Sequence, residues 1–240
     1  MAANLSDAEE GQIGQRTEFD AFNDKNIRNR FVQKVYSILS AQFLLTFAIC
    51  AVCIFVESVK TYIQMNMWPM MTALVVYFVT GIMIMCCNKL QRTVPWNYIL
   101  LTMLTISMSI MLGVLCAFAD LQAVFLAAGI TFAATLAISL FSCWTKFDFT
   151  KLIWIAAICG FVLCITGFIM IFNRNNLAQT IYSGGGALLV MLYLAIDTQL
   201  IMGGKRFQIS EEDYIFAALN LYLDIVQLFI FILRILQASK

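Results

Sequence analysis

Beyond residue 30 the chain alternates long apolar runs with short polar breaks. The runs extend over residues 31–56, 68–87, 98–119, 121–143, 152–172, 181–202 and 214–236. Each is near or above the ~20 residues that a helix needs to cross ~30 Å of hydrocarbon. The pattern predicts an all-α membrane protein with seven transmembrane helices. Residues 1–30 hold Asp7, Glu9, Glu10, Glu18, Asp20 and Asp24 among few apolar side chains, so they read as a disordered tail before a transmembrane domain over 31–240. No basic start, apolar core and cleavage site occur together there, and no cleavable signal peptide is expected. Little more than Asp120 separates the third and fourth runs, which predicts a tight antiparallel pair. Thr105, Ser109 and Gly113 in the third run, and Ala127, Thr131 and Thr135 in the fourth, recur at helical spacing. Small residues at that spacing let helices approach closely.

The last run differs from the others because polar groups interrupt it periodically. Asn220, Asp224, Gln227 and Arg234 follow one another at steps of four, three and seven, which places them on one face of a helix. Ser210 and Asp213 have the spacing of a capping box, and Glu211 and Glu212 add charge that the helix dipole favours, so a helix is expected to start near Glu211. A carboxylate well inside an apolar helix is costly in lipid and calls for a partner in the protein interior. The nearest candidate is Asp197, one run earlier in LYLAIDTQLIMGGK. In the same run Gly184, Gly185 and Gly186 open the sixth helix, suited to close packing or a hinge, and Gly203 and Gly204 end it.

Composition agrees with a bilayer as solvent: 62% of residues are hydrophobic and 12% charged, against the ~25% charged of soluble domains. The net charge of +1 gives no reason to expect nucleic acid as a partner. Eight cysteines sit in or beside the apolar runs without zinc-like spacing. Histidine is absent, so proton sensing falls to carboxylates. Lys and Arg flank the runs unequally, eleven on the side of the N-terminus and four on the other, which places the N-terminus in the cytosol. On that assignment Asp197 and Asp224 lie ~9 Å and ~16 Å from the cytosolic ends of consecutive antiparallel helices. They occupy the same half of the bilayer.

Four blocks of the chain carry a further signal: IRNRFVQKVYSILSAQFLLT, RTVPWNYILLTMLTISMS, FSCWTKFDFT and LAIDTQLIMGGKRFQISEEDYIFAALNLYLDIVQLF. Through them residues 25–236 resemble the transmembrane Bax inhibitor motif family, lifeguard branch. The resemblance implies a Bax-inhibitor-like fold with the seventh helix central and wrapped by the first six. It also implies a pH-sensitive calcium leak from internal stores and suppression of cell death. The family's proton-sharing pair falls on Asp197 in IDTQ and Asp224 in LYLDI. A basic residue near the cytosolic end of the second helix is implied as partner of the first aspartate, with Arg92 as first candidate and Lys89 as the alternative. The short tail lacks the proline-rich character of many lifeguard proteins, so partner binding by such a tail does not carry over.

The chemistry of the pair follows from the residues themselves. Two carboxylates within hydrogen-bond distance in a poorly solvated site resist joint ionisation, so they share a proton and titrate in the cytosolic pH range rather than near ~4. The shared proton ties helix six to helix seven, and its loss leaves two charges for a cation or Arg92 to relieve. Calcium prefers oxygen ligands, and Asp197 and Asp224, with Asn220 and Gln227 as further candidates along the ion path, could serve it in transit. Ca2+ is expected as a transported ion and no cofactor is expected. An intramembrane aspartyl protease is disfavoured, because such enzymes use YD and GxGD where this chain has AIDT and LYLD; no enzyme is expected. The competing class is a non-conducting interaction protein acting on death-receptor or Bcl-2-family proteins. Endoplasmic reticulum or Golgi is the expected location, with plasma membrane and endosome open.

Overall fold

In the computed structural model, residues 2–86, 93–170, 176–203 and 209–238 are described. They form eight α-helices: α1 (Ala2–Phe55), α2 (Glu57–Met65), α3 (Trp68–Cys86), α4 (Trp96–Phe118), α5 (Leu121–Trp144), α6 (Ile153–Met170), α7 (Asn176–Met202) and α8 (Tyr214–Ala238). Single 3₁₀ turns, Phe149–Leu152 and Glu211–Asp213, lead into α6 and α8. Seven of the helices are long and apolar enough to cross a membrane, and α2 is not among them. The sequence pattern therefore locates every span, and its boundaries differ from the observed ones by a few residues.

Helix α1 is continuous from Ala2, and its apolar span begins at Asn26. The sequence reads residues 1–30 as a tail without structure, whereas here residues 2–30 extend the helix; no proline precedes Pro69 to interrupt it. From Phe31 onward the buried positions of α1 are Phe31, Val35, Leu39, Gln42, Thr46, Cys50 and Cys53. Steps of three and four give one stripe along the helix. That stripe packs against α4 and α8.

The last helix is central. Helix α8 packs on α7, α1, α5 and α4, while α3 rests on α4 and α6 on α7. The expected wrap of six helices is thus two layers, four helices in contact with α8 and two outside them. Burial is deepest at α4, α8 and α7: 61%, 56% and 50% of their spans are buried, against 28% of α1, 17% of α5 and α3, and 6% of α6. Outer helices can stay apolar all round because lipid tails solvate them as well as protein does.

The expected antiparallel pairing of the third and fourth spans is not formed. Helix α4 packs with α1 and α3, whereas α5 packs with α7 and α8. The turn between them explains the divergence. Ala119 and Asp120 are both extended, and Asp120 caps α5 by accepting the Gln122 amide at 3.3 Å, so the chain opens outward instead of folding back. The small-residue stripes consequently serve other neighbours. A Cβ on Gly113 would lie 2.7 Å from Cys53 Sγ of α1.

Two further expectations shift at α7 and α8. Gly184, Gly185 and Gly186 lie inside α7, which begins at Asn176, and not at its opening. Gly186 permits close packing, since a Cβ there would meet the Phe231 ring at 2.5 Å. At the expected capping box Ser210 Oγ accepts the Glu212 amide at 3.4 Å, a 3₁₀ turn follows, and α8 begins at Tyr214 rather than Glu211.

Candidate functional site

The turn between α7 and α8 brings the two intramembrane aspartates together. Gly203 ends α7 in a left-handed conformation, φ 74°, that glycine adopts without steric cost. Its amide bonds Gln199 O at 3.0 Å, and the Ile209 amide returns to Leu200 O at 3.1 Å. Asp197 then lies ~8 Å before the end of α7 and Asp224 ~15 Å into α8, on adjacent antiparallel helices. Their side chains come within hydrogen-bonding reach of each other. Both residues are half-buried. Asp224 Oδ2 is fully enclosed and meets no N–H or O–H donor of the described residues. No basic side chain among the described residues pairs with either aspartate. Lys89 and Arg92, the basic partners expected from sequence, lie outside the described residues.

Tyr193, one turn before Asp197, stands beside both aspartates. Its hydroxyl donates to Ala156 O of α6 at 2.7 Å and sits over Gly160, where a Cβ would lie 2.2 Å from the tyrosine oxygen. A second tyrosine repeats the device, with Tyr182 Oη 2.5 Å from the position of a Cβ on Gly167. Glycines seven apart on α6 thus seat two tyrosine hydroxyls of α7. Glycine spacing could have drawn attention to α6, but nothing local connects it with these tyrosines.

The IDTQ motif carries a second function in Gln199, which is 2% exposed. Gln199 Oε1 accepts the Phe149 amide at 2.8 Å, and Nε2 donates to Phe147 O at 2.9 Å and Ser142 O at 3.2 Å. The FSCWTKFDFT stretch is thereby fastened to the helix that bears Asp197. Asp148 and Thr150 shape that stretch locally, with Thr150 Oγ1 donating to Asp148 Oδ1 at 2.6 Å. Arg28 at the head of the α1 span secures the opposite side: Nη1 donates to Ile209 O at 2.8 Å and Nη2 to Leu200 O. In the sequence Arg28 is one of the eleven basic residues on the side of the N-terminus, and its contact across 181 residues has no local signature.

Deeper in the bundle, α1, α4 and α8 meet through hydroxyl and amide groups. Gln42 Nε2 donates to Thr105 Oγ1 at 3.0 Å, and Thr46 Oγ1 lies 2.9 Å from both Ser109 Oγ and Tyr222 Oη. Tyr222 is completely buried. Such bonds hold membrane helices together where apolar burial cannot. Thr105 and Ser109 had been singled out as small packing residues, and here they also accept and donate.

The remaining members of the polar stripe spread out. Asn220 is half-buried and makes no hydrogen bond to the aspartates, while Gln227 and Arg234 are exposed. Arg234 instead joins Gln179, Tyr182, Ser183 and Gln237 around a cavity of about 570 Å³ at the other end of α8. Among the described residues no three or more Cys, Asp or Glu side chains gather as a metal cage. The pair therefore offers two carboxyl groups, fewer than the six to eight oxygens of a tight calcium site.

Comparison with known proteins completes the picture. A family model described as inhibitor of apoptosis-promoting Bax1 matches residues 28–240. Protein lifeguard 3 of Homo sapiens is 35% identical over 234 residues, covering 96% of this chain and 75% of the relative. Protein lifeguard 3 of Mus musculus is 36% identical over 218 residues, 89% of this chain and 71% of the relative. The Golgi anti-apoptotic protein of Vaccinia virus (strain Lister) is 33% identical over 215 residues, 90% of this chain and 88% of the relative.

Proposed function

We propose, from the premise that this chain belongs to the family of inhibitors of apoptosis-promoting Bax1, that it suppresses cell death as a pH-sensitive calcium leak of intracellular membranes. The protein is a multi-pass membrane protein with relatives named for lifeguard and anti-apoptotic activity. The observation that carries the finer reading is the approach of Asp197 to Asp224 between two antiparallel helices, with Asp224 Oδ2 enclosed and without a donor among the described residues. Two carboxyl groups so placed hold together through one shared proton. Loss of that proton leaves adjacent negative charges inside a membrane, and a divalent cation relieves them. An incomplete oxygen shell suits passage better than residence. With the N-terminus cytosolic, as the distribution of Lys and Arg suggests, the pair faces cytosolic pH. The Golgi is the favoured location, by analogy with the viral relative's name.

A second reading, a non-conducting interaction protein that restrains death-receptor or Bcl-2-family proteins, draws support from the stretch held by Gln199. That stretch presents Trp144 and Phe147 outward, 81% and 55% exposed. Calcium efflux from liposomes carrying the purified full chain separates the two. Wild type should release calcium at a rate that changes between about pH 5 and about pH 8, and Asp197→Asn and Asp224→Asn should flatten that profile. Folded wild-type protein with no flux above empty liposomes would defeat the leak and favour the interaction reading.

A further inference from the structure

At the C-terminal end of α8 the bundle holds its cavity of about 570 Å³, lined by Gln179, Tyr182 and Ser183 of α7, Arg234 and Gln237 of α8, and Gly167 of α6. This volume falls within the range of small-molecule sites. Its polar side chains share an unusual condition. None of the five side chains makes a hydrogen bond or ion pair with another described residue, and all five line the cavity. Arg234 is the only charged side chain among the described lining residues. A guanidinium offers five N–H donors in a planar fork and no acceptor, which matches phosphate.

The neighbouring donors are held in position. The Tyr182 ring packs edge-on against Phe231 with centroids 5.9 Å apart, and its hydroxyl occupies the space that Gly167 leaves by lacking a side chain. Ser183, one residue on, is 2% exposed and opens on the cavity. Leu115 and Met170 complete the wall, and Ile181 and Leu188 on α7 are exposed, 67% and 71%, to the acyl region of the bilayer. Polar donors around one cation, with exposed apolar helix surface on the same element, form the two halves of an amphiphile site.

The geometry points to a binding site for the phosphate of an anionic phospholipid headgroup, in the leaflet at the C-terminal end of α8, with Arg234 as the principal ligand and Tyr182, Ser183, Gln179 and Gln237 as supporting donors. This site is separate from the aspartate pair, which lies toward the other membrane face.

The test is lipid binding by the delipidated full chain in detergent micelles, read by native mass spectrometry with phosphatidylglycerol and phosphatidylcholine as probes. Wild type should hold phosphatidylglycerol about tenfold more tightly than phosphatidylcholine, whose own choline cation already neutralises the phosphate and competes with Arg234 for it. Arg234→Gln should abolish the preference, and Arg234→Lys, which keeps charge but loses the fork, should retain part of it. Gly167→Ala, which displaces the Tyr182 hydroxyl without touching Arg234, should weaken phosphatidylglycerol several-fold and serves if the arginine variants do not fold. Equal binding of the two lipids by wild type, or a preference that survives Arg234→Gln, overturns the site. Displacement of phosphatidylglycerol by inorganic phosphate at equal concentration overturns the lipid assignment in favour of free phosphate.

Discussion

Replacing Gly160 by alanine adds one methyl group to a lipid-facing helix, yet its consequences should reach the aspartate pair. The new Cβ would lie 2.2 Å from Tyr193 Oη and 3.3 Å from the ring carbon that carries it, so the tyrosine must move. Moving it breaks the 2.7 Å bond to Ala156 O. Overpacking of this kind costs about 1–3 kcal/mol, and a hydrogen bond between membrane helices about 0.6 kcal/mol more. The variant should therefore lose roughly 2–3 kcal/mol, measured by thermal or denaturant unfolding of purified protein in mild detergent. Tyr193→Phe supplies the decisive control. Removing the hydroxyl alone should cost about 0.6 kcal/mol, whereas in Gly160→Ala/Tyr193→Phe the clash is gone and most of the loss should be recovered. A double-mutant cycle thus predicts a coupling of at least about 1 kcal/mol. Gly129→Ala and Gly184→Ala, where a Cβ would meet nothing within 4 Å, should be neutral or stabilise by up to about 1 kcal/mol. A Gly160→Ala protein as stable as wild type, or one that Tyr193→Phe fails to rescue, would refute the reasoning.

Three other outcomes are expected. Gln199→Leu removes partners from the Phe149 amide and from two carbonyls, so that stretch should exchange its amide hydrogens faster and stability should fall by about 1–3 kcal/mol. Tyr222→Phe should cost about 0.6–1.5 kcal/mol in the same unfolding assay, and combining it with Thr46→Val should cost less than the sum, because the two hydroxyls partner each other. For the aspartate pair, loss of the shared proton replaces an attraction by a repulsion, so wild-type stability should fall as pH rises through about 5 to 8, and Asp197→Asn/Asp224→Asn should show no such slope.

The spans were legible because each is a local property: twenty or so apolar residues in a row state a membrane helix without reference to the rest of the chain. The same is true of the acid pair. Its two members stand out as isolated carboxylates in apolar runs, and antiparallel succession alone puts them at similar depth. Pairings between helices were not legible in this way. The short break at Asp120 suggested neighbours, but two extended residues send α5 away from α4. Helix α2 was missed because its nine residues fall short of a span and its one buried residue, Ile63, gives no stripe. Gln199 carries no local signal, and only the folded chain shows that its amide closes a loop some fifty residues earlier. Glycine seats and tyrosine keys are likewise matched across two helices, and neither half betrays the other.

The shallow attachment of the outer helices has a consequence for where the protein works. Helix α6 presents Trp154, Ile158, Phe161, Ile165 and Phe168 outward and has 6% of its span buried, and α3 leans chiefly on α4. For these two helices the bilayer is the larger contact surface, so its thickness sets their tilt as much as the protein does. The 19-residue α3 span is the shortest of the seven and the 26-residue α7 span among the longer. A membrane a few ångströms thicker or thinner favours different compromises between them. Through the two tyrosine hydroxyls seated on α6, a change in that helix's tilt is transmitted to the helix that carries Asp197. The same polypeptide would then be set differently in membranes of different thickness, with no change in its sequence or its ligands.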